Sequence, residues 1–486
     1  MDGGCGPAPR SSSPAWRWSR EVSVPEPVLT EPVVAIVGAG PAGLRVAQGL
    51  AEAGLRPLLL DEGHRAGGQI YRRPPPGAER PAAALYGFEA GRAQTLHALA
   101  DALAPRIEYR PGTMVWGIAA REPTGFDLDC LGPRGHERIA VDRLVLATGA
   151  MDRTLPFPGW TLPGVFTLGA AQIALKAQGM AIGRRVALVG AGPLLPLVAH
   201  QYAKAGATVV AVLDATPLGA KVKAAPRLAA LPATLAKGVW YTVAGAMRGV
   251  PVRSGVRSVA VEGDGHVEAL SWEDSRGRRH RVACDAVGAS FGLRSEAQAA
   301  DLAGCRFVFE PVTRQWQPER SPEGRSSHPH VYLAGDGSGI GGADVAELQG
   351  ERTALAVLAD LGRPRDAARE ARLDRHLARQ AGFRAALEAA YPYPHHLVDR
   401  IGDDEIVCRC EGITAGALRR AATGRDAREM NRLKALTRAG MGRCQGRVCG
   451  HAAAEILART LSVPVEAVGR LRGQAPIKPI PLREPV

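Results

Sequence analysis

Pro32-Val-Val-Ala-Ile-Val37-Gly38-Ala-Gly40-Pro41-Ala42-Gly43 decides the fold. Its first six residues are a short apolar run, consistent with a buried parallel strand. The run passes straight into three spaced glycines and then into Leu44–Gly54, which has helix-like composition. In a strand–turn–helix of this kind Gly38 makes the turn, and Gly40 lets backbone approach a pyrophosphate. Gly43 lets the helix pack against the strand, and the helix N-terminus at Pro41 and Ala42 faces the phosphate charge. A second apolar run, Leu58–Leu60, ends at Asp61, 23 residues after Gly38. That is where a carboxylate should meet a ribose hydroxyl, with Glu62 as the fallback. Strand, helix and acid in this order predict a dinucleotide site in an α/β fold.

Two later segments indicate which dinucleotide. Leu144–Ala150, containing Ala147-Thr148-Gly149, reads as a strand ending in a tight turn. Val331–Gly337 reads as another strand, with Gly335-Asp336 past its end. They resemble the Ala-Thr-Gly and Gly-Asp motifs of two-dinucleotide-domain flavoproteins, the glutathione/thioredoxin reductase-like α/β fold. The resemblance implies FAD, with Asp336 bonding its ribityl chain. The helix-like stretch Ala343–Leu361 would direct its N-terminal dipole at negative charge on a reduced flavin.

A second fingerprint, Val186-Ala-Leu-Val-Gly190-Ala-Gly192-Pro-Leu-Leu195, opens a second unit whose next strand ends at Asp214. In the reductases that this fold resembles, the second domain takes NAD(P)H. Leu195 stands at the third glycine position, where helix and strand need close contact, and casts doubt on pyridine nucleotide binding. A domain that is vestigial for NAD(P), or filled by an adenine nucleotide, is the favoured expectation. Disulfide reductases of similar fold carry a redox cysteine pair beside the flavin. The corresponding stretches here, Gly67-Gly68-Gln69-Ile70-Tyr71 and the region after Gly149, contain none. Thiol–disulfide chemistry at the flavin is not expected.

Half of the eight cysteines gather near the C-terminus, as Cys408-x-Cys410 and Cys444-x4-Cys449. Without a secretory signature this is metal-site usage and not a disulfide framework. Four thiolates from two tight loops suit an iron–sulfur centre or zinc. Cys-x-Cys is unusual in structural zinc loops, which favours iron. Three short helices are expected over Thr414–Gly424, Ala427–Gly440 and Gly450–Leu461, with Cys449 at the N-terminus of the last. Arg409, Arg443 and Arg447, interleaved with the thiolates, would screen an anionic centre. His451 reads as a solvated or backbone-bonded histidine, not a ligand.

Over about residues 32–486 the chain resembles the larger FAD subunit of bacterial dye-linked amine and amino-acid dehydrogenases. That group includes opine oxidases, D-hydroxyproline dehydrogenase and hydrogen cyanide synthase, and more distantly archaeal proline dehydrogenase and heterotetrameric sarcosine oxidase. The resemblance is carried by Asp61-Glu62 with Gly67–Tyr71, by Leu155–Val165, by Gly190–Leu195 and by Gly339–Asp344. Thr437–Gly446 and the tail Ala475–Leu482 add to it. The cysteine segment resembles the bacterioferritin-associated ferredoxin type, a small helical [2Fe–2S] module, departing from it in having Cys-x4-Cys where that type has Cys-x2-Cys. The resemblance implies FAD bound by Gly38, Gly40, Pro41, Ala42, Gly43, Asp61, Glu62, Gly68, Gln69, Ala147, Thr148, Gly149, Gly335 and Asp336. It places the second-site turn at Gly190 and Gly192, and a [2Fe–2S] cluster on Cys408, Cys410, Cys444 and Cys449. It further implies a hetero-oligomer with a smaller FAD-dependent amine-oxidase-like partner, and in some relatives FMN at the interface between subunits.

The expected organisation is a flexible leader at 1–30, then an FAD-binding part at 31–156 and a second dinucleotide domain at 157–293. The FAD domain resumes at 294–361, followed by a helical linker at 362–400, the [2Fe–2S] domain at 401–464 and an extended tail at 465–486. The tail, rich in proline, is expected to lie along a partner subunit. The formal charge of +13 suggests nucleic acid at first, but basic residues are spread throughout and aromatics are only 5% of the chain. Solvated faces are the better reading, and no nucleic acid is expected. The leader lacks an apolar h-region or twin arginine, and no apolar stretch approaches the ~18 residues a bilayer needs. A cytoplasmic location is expected, with any membrane contact through the electron acceptor, a quinone pool or dye. No substrate acid or base stands out. Three functions compete: one subunit of a dehydrogenase complex, a stand-alone NAD(P)H-dependent flavin reductase, and a non-catalytic assembly protein holding an adenine nucleotide.

Overall fold

The computed structural model describes residues 33–481; the leader and the last five residues of the tail, Leu482 included, lie outside the described residues. The chain begins β1 (Val34–Val37), α1 (Pro41–Glu52), β2 (Leu58–Asp61), β3 (Glu108–Pro111) and β4 (Arg143–Leu146). A short strand β5 (Ala150–Asp152) leads to a second unit of β6 (Val165–Thr167), α2 (Leu168–Ala177), β7 (Arg185–Ala191) and α3 (Leu194–Lys204). It continues through β8 (Thr208–Asp214), β9 (Val252–Ser254) and β10 (Ala286–Phe291). The chain then returns through β11 (Leu293–Ser295) to β12 (Val331–Leu333) and α4 (Ala343–Asp360).

Two parallel five-stranded sheets result, ordered β12-β4-β1-β2-β3 and β9-β8-β7-β10-β6. Strands β12, β4, β1 and β2 of the first sheet are near-continuous apolar runs because both faces are covered, whereas the edge strand β3 reads Glu-Tyr-Arg-Pro. Its register matches Val37 with Leu146 and Leu146 with Leu333, so β1, β4 and β12 end side by side. Gly38, Ala147 and Ala334 are therefore the next residues on three adjacent strands. Helices α1 and α4 meet closely on one face, where a Cβ on Gly350 would collide with the Ala42 carbonyl. Between the two sheets, β5 and β11 form an antiparallel ribbon pairing Ala150 with Ser295.

Helix α5 (Ala367–Ala390) starts at Asp366, whose side chain accepts from Arg369 N at 2.9 Å, and ends before Tyr391. A small hairpin, Ile406–Cys408 with Ile413–Thr414, precedes α6 (Ala415–Gly424), α7 (Met430–Thr437) and α8 (Gly450–Leu461). Thr414 Oγ1 caps α6 by accepting from Ala417 N at 3.3 Å. The helices do not form a core of their own. Val407, Leu418, Leu433 and Ile456 share one buried cluster with Phe157, Trp160, Val189 and Phe291 of the second unit. Trp160 Nε1 also donates to the Ile406 carbonyl at 2.6 Å. This interface is apolar and continuous, which opposes independent motion of the two parts.

The described part of the tail runs back over this chain. Arg470 makes a bidentate pair with Asp301 at 2.6 and 2.7 Å, and Ile477 is buried beside Leu58 and Val115 in the core beneath the first sheet. Ile477 N donates to Trp116 O at 2.9 Å, and Lys478 reaches Glu62 at 2.5 Å. The buried Ile477, the Arg470–Asp301 pair and the bonds to Trp116 and Glu62 together hold this proline-rich segment. Among the described residues no helix is long and apolar enough to cross a membrane.

Candidate functional site

Three loops leave the carboxyl ends of β1, β4 and β12, the position where open α/β sheets bind ligands. At the first, Gly38 has φ +111°, and a side chain there would collide with the Ala147 carbonyl. A Cβ on Gly43 would meet the Gly38 carbonyl, so both glycines are required for α1 to approach the strand. Helix α1 begins at Pro41 with no side-chain cap at Gly40. Its first backbone N–H groups are left to face an anion. Ala42 packs against Gly335, where an added Cβ would lie 2.8 Å away. Gly68, at φ +63°, folds its loop over Gly40; a Cβ on it would stand 2.9 Å from Gly40 Cα.

The acids at the end of β2 divide. Asp61 stays with the fingerprint, accepting from the backbone N–H of Ala39 and, at 2.6 Å, from that of Gly63. Burial raises its carboxyl, while those two hydrogen bonds oppose the shift. Glu62 is exposed and paired with Lys478 of the tail. The Gln69 side chain accepts from Arg72 at 2.9 Å. At the second loop, Thr148 Oγ1 donates to the Glu296 carbonyl at 2.5 Å. At the third, Gln349 holds the Gly335 N–H at 3.0 Å, and Asp336 Oδ1 accepts from Gly341 and Gly342 at 2.8 and 2.9 Å. The loop thus uses one oxygen of Asp336. This glycine cradle, uncapped helix and oriented carboxylate fit a flavin dinucleotide.

The second fingerprint is built differently. Gly190, at φ +144°, lies against the Ser290 carbonyl, while a side chain on Gly192 would meet nothing within 4 Å. Leu195, 1% exposed, is accommodated in the core with Leu188 and Val198. Asp214, the counterpart of Asp61, is buried and already neutralised. Lys221 Nζ sits 2.5 Å from its Oδ2, and Thr216 N donates to its Oδ1 at 2.8 Å. A ribose hydroxyl would have to compete with a full positive charge for this carboxylate.

Cys408, Cys410, Cys444 and Cys449 come together in a cleft of about 240 Å³, whose other walls include Phe157, Trp160, Phe291 and Arg409. Among the described residues no three His, Cys, Asp or Glu side chains close round one point as a single ion needs. The four thiols instead form a chain of neighbours around the cleft: 408 to 449, 449 to 444, 444 to 410. A hydrogen bond from Cys449 lowers the Cys408 thiol to about 6, helped by backbone N–H groups of Gly440, Glu411 and Cys410. Cys444 is lowered for the same first reason, with N–H groups of Val448 and Gly446 adding to it. Cys449, the donor to both, is raised. It also precedes α8 directly, where the helix dipole favours thiolate. Four thiols spread along a cleft and supplied with N–H donors fit an iron–sulfur cluster.

Two expectations about this region change. Arg447 does not face the cleft but pairs with Glu296 at 2.8 Å and donates to the Ile477 carbonyl. His451 is neither solvated nor backbone-bonded. It is half-buried against Arg153 and the Tyr393 ring, and desolvation followed by Arg153 holds it in the neutral form. Arg153 lies 3.4 Å from the Tyr393 ring centroid, donates to Thr313 O and Arg314 O, and is pushed down to about 10 by burial. Beside them Glu455, 0% exposed, takes a bidentate pair from Arg314 at 2.8 and 2.7 Å. Arg153 and Glu455 escaped sequence reading because Arg153 and His451, and Arg314 and Glu455, lie more than a hundred residues apart. The one signal in the string was Arg447 inside the lengthened Cys-x4-Cys loop.

The flavin loops and the cysteine loop are bridged by a single short segment, Arg294–Gln298. Glu296 N donates to Gly149 O at 2.9 Å, and Ser295 Oγ accepts from Gly339 N at 3.0 Å. On the other side, Arg294 donates to Arg447 O at 2.8 Å and Gln298 to Gln445 O at 2.6 Å.

Comparison with known proteins agrees with this geometry. The pyridine nucleotide-disulphide oxidoreductase family matches residues 32–350, and the BFD-like [2Fe-2S] binding domain matches residues 406–459. An opine oxidase subunit of Rhizobium meliloti is 37% identical over 96% of this chain and 89% of its own length. The HcnB subunit of hydrogen cyanide synthase from Pseudomonas aeruginosa is 33% identical over 92% of this chain and 96% of its own. The crystal structure of L-proline dehydrogenase from P. horikoshii superposes with a TM-score of 0.68 at 20% identity, covering 93% of this chain and 78% of that one. At that identity it bears on the fold alone. Such agreement across nearly the whole length makes this chain a flavin- and [2Fe–2S]-type oxidoreductase of the pyridine nucleotide-disulphide oxidoreductase family, in the group of the opine oxidase and HcnB subunits.

Proposed function

We propose that the chain is the FAD- and [2Fe–2S]-containing electron-relay subunit of a multi-subunit dehydrogenase that oxidises an amino acid, imino acid or opine. The observation that carries this reading is the Arg294–Gln298 bridge, which fixes the flavin loops and the cysteine loop to one short piece of backbone. A bound flavin accepts electrons in pairs and a [2Fe–2S] cluster passes them singly, so joining the two converts a hydride oxidation into one-electron output. The chain's own residues supply positioning. Gly38, Gly40, Gly43 and the start of α1 hold the pyrophosphate, Asp61 the ribose, and Asp336 the ribityl chain. Cys408, Cys410, Cys444 and Cys449 hold the cluster. No acid or base in this chain is assigned to the substrate. That task goes to a smaller FAD-dependent amine-oxidase-like partner, and the electrons leave to a quinone pool or dye.

Relatives named as subunits support a hetero-oligomer. The second reading, an NAD(P)H-dependent reductase, is disfavoured by Lys221 on Asp214 and by Leu195 in the core. An anaerobic visible spectrum, taken with and without the co-encoded partner, separates the two. Flavin and iron bands bleached by an amino acid or opine only in the partner's presence are the expected result. Bleaching of the isolated chain by NADH would replace the relay with a reductase.

Asp336→Ala tests the flavin assignment. A hydrogen bond to a charged group contributes roughly 1.5–3 kcal/mol, so the flavin Kd is expected to rise by about 10- to 100-fold. Equilibrium dialysis reads this directly, and an unchanged Kd would detach Asp336 from the flavin.

A further inference from the structure

Lys176 stands near the C-terminal end of α2 and is 5% exposed. Its Nζ donates to the Ile70 carbonyl at 3.1 Å, and no carboxylate pairs with it among the described residues. An ammonium carries three donors, and a buried charge without a partner is strongly disfavoured. Burial alone pushes this amine down to about 8. Two donors and a positive charge are therefore held ready for something the polypeptide does not provide.

The place of this amine narrows what that is. The loop holding Ile70 is the one that folds Gly68 over Gly40 of the first fingerprint. The Ile70 side chain is itself 39% exposed beside the buried lysine, an apolar group left facing open space. At its other end α2 is anchored by Gly169 N donating to Asp152 at 2.8 Å, on the strand that follows Thr148–Gly149. Lys176 thus reaches from the second unit to the loop 67–71, on a helix whose opposite end is tied to Asp152. The uncapped start of α1 already offers N–H donors for phosphate, so the lysine is not needed there. A flat apolar ring with polar edges would cover Ile70 and offer acceptors to the ammonium.

We infer that Lys176 is the fixed positive charge against which the flavin ring lies, and that it stabilises the negative charge the ring gains on reduction. This rests on the flavin reading above. It adds a residue from the second unit to the first unit's cofactor site, and gives that unit a role that needs no nucleotide of its own.

Sulfite is a suitable probe. Its sulfur lone pair forms a bond to ring N5, and the electron pair leaves a negative charge spread over the ring, so adduct affinity reads the local charge. In the complete chain with flavin bound, Lys176→Gln is expected to raise the sulfite Kd by about tenfold or more and to move the flavin potential to more negative values. Lys176→Arg, which keeps the charge, is expected to retain most of the wild-type affinity. Loss of flavin in Lys176→Gln but not in Lys176→Arg supports the same role. Unchanged sulfite affinity and potential in Lys176→Gln would overturn the inference, and so would equal losses in both variants. A wild-type chain that purifies without flavin would sink the underlying flavin reading and this inference with it.

Discussion

Glu455→Ala is expected to destabilise the chain by about 2–3 kcal/mol, less than for a fully buried pair because the Arg314 side chain remains 27% exposed to solvent. Glu455 is wholly buried on α8 and accepts both guanidinium bonds of Arg314, with His451 a turn away and Arg153 behind it. Without it, the two arginines and the neutral histidine would be packed together with only the weaker pull of Glu466 on Arg314. Chemical denaturation should therefore report a lower midpoint with little change in slope. Replacing Arg314 and Glu455 together by methionine should restore most of the loss, because the desolvation cost of the pair disappears with the pair. A loss below about 1 kcal/mol in the single variant would place this interaction in the range of solvated surface pairs.

Cys444→Ser is expected to remove the iron and its visible absorbance almost completely while leaving the flavin at full stoichiometry. Cys444 neighbours both Cys449 and Cys410, so it joins the two halves of the thiol set. The flavin loops do not depend on its sulfur. They depend on Glu296, Gln349 and the glycines at the strand ends. Iron content and flavin content measured on one sample test this. Loss of both together would mean that the thiol cleft is needed to hold the strand-end loops in place.

The parts of the site legible in the sequence are those set by local backbone. Gly38, Gly43 and Gly335 are dictated by contacts within a few ångströms of a strand end, and strand ends are marked by apolar runs. The cysteines were legible by type and spacing. What was not legible is tertiary charge. Lysine and arginine number 61, so nothing in the string distinguishes Arg153 or Lys176 from basic residues that face water, and nothing tells where Arg447 points. Each acquires its meaning from a partner far along the chain: Thr313, Glu296, Ile70. The tail was read as extended, but the pocket awaiting Ile477 is made by β2 and the strand carrying Val115, and no tail residue advertises it. In the second unit Leu195 did signal a change, yet the stronger evidence against a nucleotide is Lys221, seven residues past Asp214 and brought back to it by the fold.

The shared core beneath Trp160 has a kinetic consequence. Many electron carriers work as couriers on a tether, collecting charge at one place and swinging to deliver it at another, at a rate set by their own diffusion. A carrier whose hydrophobic interior is continuous with a neighbouring unit of the same chain cannot swing. Here the helices around the thiols and the second sheet bury the same side chains, and the tail straps the far side to Glu62. On the relay reading proposed above, charge would then cross a fixed gap, as along a wire, at a speed set by distance and potential rather than by motion.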